Sequence, residues 1–112
     1  MCLFCKVVNK EVAAKVLFED EELVAFSDIR PVAPTHALVI PKRHIPSLDQ
    51  ASPADAALLG HLLLAAQRVA RETGIDASGW RAVINNGADA GQSVFHVHVH
   101  VLGGRPMAWP PG

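Results

Sequence analysis

The 112-residue chain has no stretch near the roughly 18 consecutive apolar residues that cross a bilayer, so its sequence offers no membrane span. Its start, MCLFCKVVNK, lacks the charged region and following apolar run of a secretory signal, and the expected location is the cytoplasm. Neither sign of charge dominates: 10 Lys and Arg stand against 11 Asp and Glu. That balance leaves no basic footprint for nucleic acid and no polybasic patch for a membrane surface, so a small molecule is the expected ligand. Cysteine is scarce, with Cys2 and Cys5 the only two. In a reducing compartment a C-x-x-C pair favours a metal or a redox couple over a structural disulfide. A redox couple calls for a helix start beneath it in a thioredoxin-like βαβ setting, and the sequence reads as having none. Repeats, low-complexity tracts and linkers are absent too, and a half-hydrophobic chain of this length fits one domain spanning residues 1–112.

What is present reads in a simple order. Residues 12–20 and 22–29 are apolar runs separated by an acidic corner at Asp20 and Glu21, the pattern of an antiparallel hairpin. The prolines of RPVAP (30–34) exclude a ladder there, and a third strand follows over 35–41. Ser52, Pro53 and Asp55 resemble a capping box that opens one long helix. That helix carries Leu58, Leu59, Leu62, Ala65, Ala66, Val69 and Ala70 at helical spacing, and Gly74 stops it. Strands are expected again over 80–86 and 94–102. The expected fold class is α+β, a five-stranded, mainly antiparallel sheet with one long helix packed on it.

The densest chemistry lies in SVFHVHVHVL (93–102), where His96, His98 and His100 alternate with apolar residues. At the strand period all three project from one face, with Phe95, Val97, Val99 and Val101 on the other. Alternate residues on a strand lie about 6.6 Å apart, so two of these rings can converge on one metal but three cannot. The histidines must therefore divide their labour. Immediately before them, NNGADAGQS (85–93) supplies Gly87, Gly91 and Ser93, a composition that lets backbone N–H groups close around an anion. Imidazole beside a phosphate cradle suits phosphoryl or nucleotidyl transfer, because a neutral histidine can attack phosphorus and carry it covalently.

These residues carry a resemblance. HVHVHVL matches the histidine triad motif, and FSDIRPVAPTHALVIPKRHI, LLGHLL, GQSVFHVHVHVLGGR and WPPG follow in the order of the Hint branch of the histidine triad (HIT) superfamily, from about Leu3 to Gly112. The resemblance implies a homodimer whose two sheets join into one of ten strands. It also implies purine nucleotide binding and hydrolysis of nucleoside 5'-phosphoramidates. By resemblance, His98 is the nucleophile and His100 binds a phosphate oxygen. Ser93, with the backbone of Gly91, Gln92 and Val94, holds the α-phosphate. Asp28 accepts the ribose hydroxyls, Asn85 lies near phosphate and ribose, and Leu3, Phe4, Val7, Phe26 and Ile29 wall the base. Leu3, Val7 and Phe26 read equally well as ordinary core. A nucleotide-binding regulatory module with incidental hydrolysis, or a dinucleoside polyphosphate hydrolase like the Fhit branch, are the alternatives.

The cysteines depart from the animal Hint pattern. Other superfamily members bind zinc with two such cysteines, the histidine of an RH pair and the first triad histidine, which here implies a structural Cys2–Cys5–His44–His96 site. His61 reads as a helix–sheet packing residue and His36 as support for the sheet. Lys42 and Arg43 read as solvated and Trp80 as a strand anchor.

Overall fold

Asp20 makes the corner between the first two apolar runs, because its carboxylate accepts the N–H groups of Glu22 and Leu23 at 2.8 and 3.0 Å. In the computed structural model, which describes residues 2–112, this corner joins β1 (Val16–Glu19) to β2 (Leu23–Ser27). They are followed by β3 (Thr35–Pro41), β4 (Trp80–Val83) and β5 (Val99–Gly103). The sheet order is β1-β2-β3-β5-β4, and every neighbouring pair is antiparallel.

The long helix, α2, spans Ala56–Thr73 and is entered through a 3₁₀ turn at Pro53–Asp55. Ser52 caps that turn: its hydroxyl accepts the Ala54 N–H while the Asp55 carboxylate accepts the Ser52 N–H. Gly74 ends the helix at φ +80°, a left-handed conformation that costs glycine little. Leu62, Ala65, Ala66, Val69 and Ala70 of α2 pack on Leu23, Ala25, Val39, Val99 and Val101 of the sheet. Each such leucine or valine contributes about 1.5–3 kcal/mol by leaving water.

The alternate residues of the same strands, Val24, Phe26, Leu38 and Ile40, face the other way and are covered by Phe4 and Val7. Those two belong to α1 (Leu3–Val8), a short helix not anticipated from the sequence, with Cys2 as its N-cap. The Cys-x-x-Cys pair does therefore sit on a helix start, contrary to expectation. Because α1 covers only part of the second sheet face, the rest of that face lies open as a cavity.

The histidine segment is less regular than expected. β5 begins at Val99, so His96 and His98 precede the strand. The β3–β5 ladder ends at the Val39–Val99 pair, and Pro41, further along β3, has no N–H with which to extend it. Val97 N–H instead donates to the Ile45 carbonyl at 2.7 Å, which sends Val97 into a cluster with Ile45 and Leu58. Phe95, ahead of this bond, is exposed rather than under the helix with the valines. The first hairpin strand and the fourth strand are also shorter than their apolar runs. Among the described residues, no helix is long and apolar enough to cross a membrane.

Candidate active site

The open part of the second sheet face is a cavity of about 550 Å³, within the range of small-molecule sites. Leu3, Phe4 and Val7 of α1 wall one side, with Phe26 and Leu38 from the sheet. Asp28, Ile29 and Asn85 rim it, and Gly91, Ser93, Val94, His98 and His100 line the remainder. Ile29 is 86 % exposed and stands at the mouth rather than in the wall.

The polar floor comes from two loops. Residues 85–93 turn at Gly87 and Gly91, with φ +86° and +84°, values that a side chain would strain. The Gln92 side chain pins this loop from behind: its Oε1 accepts the Gly87 N–H at 2.9 Å and its Nε2 donates to the carbonyls of Pro46 at 2.8 Å and Val94 at 3.2 Å. Gln92 therefore turns its side chain away from the cavity, and, contrary to expectation, its N–H and that of Gly91 are committed within the loop, to the carbonyls of Gly87 at 3.1 Å and Ala88 at 3.0 Å. Across the cavity, Asp28 Oδ1 accepts the Arg30 N–H at 2.8 Å, while Oδ2 lies 3.3 Å from His36 Nε2.

Each triad ring has its tautomer set by a partner. His98 Nδ1 lies 2.7 Å from the His96 carbonyl, which only accepts, so the neutral ring holds its proton on Nδ1 and leaves Nε2 bare. His96 Nε2 lies 2.7 Å from the Pro41 carbonyl, which by the same logic leaves Nδ1 bare. The His100 tautomer is set by His36, whose Nδ1 accepts the Val32 N–H at 3.1 Å and whose Nε2–H therefore meets His100 Nδ1 at 2.9 Å. His100 then keeps its proton on Nε2. Burial holds the basicity of His98 below the usual imidazole range, against the opposing pull of its bond to His96 and of Asp28. Burial, with the neighbouring His98 and His36 charges, pushes His100 down to about 4. Neutral rings are the rule here at pH 7.

His36 thus belongs to the site. Its link to His100 is a diagonal contact between β3 and β5, visible only with the register known, so the sequence alone points no further than sheet support.

Behind the cavity, Cys2, Cys5, His44 and His96 bring four donor atoms together. Cys2 Sγ lies 3.2 Å from Cys5 Sγ, 3.6 Å from His44 Nδ1 and 3.4 Å from His96 Nδ1. Cys5 Sγ lies 3.3 Å from His44 Nδ1 and 3.6 Å from His96 Nδ1, and the two nitrogens are 3.1 Å apart. A zinc tetrahedron with Zn–S about 2.3 Å and Zn–N about 2.0–2.1 Å has edges of roughly 3.3–3.8 Å. The six separations come close to those edges, and the bare His96 Nδ1 is the nitrogen a metal needs, so the residues fit the ion. Burial raises the Cys5 thiol, and the nearby Cys2 sulfur adds to the shift.

The other candidates lie elsewhere. His61 bridges Asp20 and Glu22 at 3.1 and 3.0 Å, tying α2 to the β1–β2 corner. Lys42 pairs with Glu19 at 3.1 Å and Arg43 with Asp55, so neither is solvated alone. Trp80 packs partly buried against the core under α2.

A cavity of nucleotide dimensions on an antiparallel sheet, with three consecutive alternate histidines at its floor and behind it, defines a histidine triad protein. Residues 9–107 match the family model of the HIT domain, and the chain belongs to that family. The fold is similar to a HIT family hydrolase from Legionella pneumophila Philadelphia 1, with 47 % identity, TM-score 0.98 and full coverage of both chains. It is similar to a histidine triad nucleotide-binding protein from Candida albicans, with 30 % identity over 98 % of this chain and 83 % of that one, TM-score 0.84. A Zn-bound histidine triad family protein from Mycobacterium smegmatis shares 39 % identity over 93 % of this chain and 75 % of that one, TM-score 0.80.

Proposed function

We propose that the protein is a Hint-type nucleotidyl hydrolase that cleaves the P–N bond of purine nucleoside 5'-phosphoramidates through a nucleotide carried on His98. One observation carries the reading. The His98 proton is committed to the His96 carbonyl, so the unprotonated Nε2 belongs to a ring that lines a cavity of nucleotide size. The Legionella hydrolase and the Candida nucleotide-binding protein support the same class.

In this account His98 Nε2 attacks the α-phosphorus, the P–N bond breaks, and the amine departs with a proton taken from solvent, which the later attack of water returns. The Ser93 hydroxyl and the backbone N–H of Val94 hold the phosphate oxygens as charge builds on them, while the N–H groups of Gly91 and Gln92 close the loop beneath on the carbonyls of Ala88 and Gly87. The Nε2–H of His100 donates to a further phosphate oxygen, and His36 keeps that ring in its tautomer. Water then attacks the phosphorus of the nucleotidyl-histidine and releases the nucleoside monophosphate, returning His98 to its starting form. Asp28 accepts the ribose hydroxyls with the lone pairs that Arg30 leaves free. Asn85 stands between ribose and phosphate, and Leu3, Phe4, Val7 and Phe26 enclose the base, with Ile29 at the mouth.

Cys2, Cys5, His44 and His96 would hold a structural zinc, which supplies a closed cross-link between three parts of the chain rather than an activated water. The one domain, residues 1–112, works in the cytoplasm as a homodimer with joined sheets. The exposed Leu63 and Leu64 of α2 and the open edge of β4 are available for that contact. Comparing turnover of an AMP amidate with turnover of a diadenosine polyphosphate tests the assignment. The amidate is expected to be the better substrate, and the reverse order overturns the P–N reading.

A further inference from the structure

The same short helix serves two sites. On one side α1 presents Phe4 and Val7 to the sheet and, with Leu3, walls the cavity. At its N-terminus it presents Cys2 and Cys5 to His44 and His96. Six residues are too few to hold a helix unaided, since isolated helices below about 12–15 residues are marginal in water. Its position therefore depends on its ties to the rest of the chain, among them the apolar contacts of Phe4, Val7 and Val8 and the four-donor centre. Phe4 stands between the two sites, with its ring 6.0 Å from His96 and 5.0 Å from His98. Any change that costs the centre its sulfur donors is consequently felt in the cavity wall.

The sulfurs are placed for such a change. Cys2 caps the helix and Cys5 sits one turn on, its N–H donating to Cys2 Sγ at 3.2 Å. The two Sγ atoms already touch, at 3.2 Å, and both residues are only partly buried, within reach of a small oxidant.

We propose that the cysteine pair is a redox latch on the nucleotide pocket. Oxidation by a peroxide joins Cys2 to Cys5, releases the metal ion and loosens α1, which weakens nucleotide binding. With hydrogen peroxide, one sulfur attacks an oxygen, the O–O bond breaks, and a sulfenic acid and water form. The second sulfur displaces the hydroxyl of the sulfenic acid, the S–S bond forms and a second water leaves. The sulfurs give up two electrons and the peroxide accepts them. The two protons come from the thiols, or from solvent where the sulfurs are metal-bound thiolates. Because metal and nucleotide both reward the docked position of α1, each raises the affinity for the other.

This inference rests on the nucleotide reading of the cavity, so its test uses binding of AMP rather than turnover. Zinc-loaded, reduced protein is titrated with AMP before and after treatment with hydrogen peroxide, while released zinc is followed with a chromogenic chelator and the cysteines by intact mass. The expected result is one zinc released and two hydrogens lost per chain, with the AMP dissociation constant raised about fivefold or more. A thiol reductant with added zinc should reverse all three changes. Stripping zinc from the reduced protein with a chelator should weaken AMP binding to a similar degree, and saturating AMP should slow zinc loss. Equal AMP affinity in the zinc-loaded and oxidised forms overturns the latch, as does reduced protein that holds no zinc or oxidation without a disulfide. If AMP binds none of the forms, the nucleotide reading falls and the latch falls with it.

Discussion

Replacing Asp28 with alanine should abolish a preference for ribose over dideoxyribose. The carboxylate is largely sheltered at the cavity rim, with Oδ1 accepting the Arg30 N–H and Oδ2 3.3 Å from His36 Nε2. Its remaining lone pairs can accept hydroxyl donors from a ribose, and a hydrogen bond to a charged group contributes about 1.5–3 kcal/mol. At about 1.4 kcal/mol per factor of ten, the wild type should bind AMP roughly tenfold to a hundredfold more tightly than 2',3'-dideoxy-AMP. In Asp28→Ala that ratio should fall close to one. The substitution also frees Arg30 and His36, but any general damage to the pocket weakens both ligands alike and cancels in the ratio. Titration calorimetry with the two ligands on the two proteins gives the four constants needed. A ratio that survives the substitution removes Asp28 from the ribose subsite.

Two further expectations concern stability and the anion loop. His100 has its basicity held at about 4 in the fold, whereas an unfolded histidine titrates near 6.5. The unfolded chain therefore binds the extra proton first, so this group's contribution is complete above about pH 6.5 and is lost as pH falls toward 4. Melting temperature should decline over that window in the wild type and decline less in His100→Gln, and parallel curves would refute the argument. Gln92→Ala removes three hydrogen bonds behind the loop and should cost about 1–3 kcal/mol. At roughly 4 °C per kcal/mol the melting temperature shows the loss, and a raised KM for the amidate should accompany it. An unchanged KM would mean that the loop holds its shape without Gln92.

The strands that matter most were legible because their chemistry is local. β3 occupies the residues expected of it, since RPVAP blocks a ladder before Thr35 and an apolar run follows over 37–41. The helix stop at Gly74 and the cap at Ser52 were likewise readable from single residues. Helix α1 was not, because its six residues gain their shape from docking Phe4 and Val7 on the sheet. A faint signal existed in the cysteine at the cap position and the apolar pair three residues apart. The late start of β5 depends on Pro41, sixty residues earlier in broad terms and adjacent only once β3 and β5 pair. The contact of His36 with His100 has the same origin: no pattern within one strand contains a diagonal pair between two.

The central claim is that His98 carries the nucleotide. Rapid quenching of the enzyme with an AMP amidate labelled in the phosphate should trap one label per active chain, acid-labile as expected of a phosphorus–nitrogen bond. Peptide mapping should place it on His98. His98→Ala should trap no label, turn over negligibly and still bind AMP in the same fold. Label on another residue, or a His98→Ala protein that keeps more than a few per cent of wild-type turnover, would contradict the account.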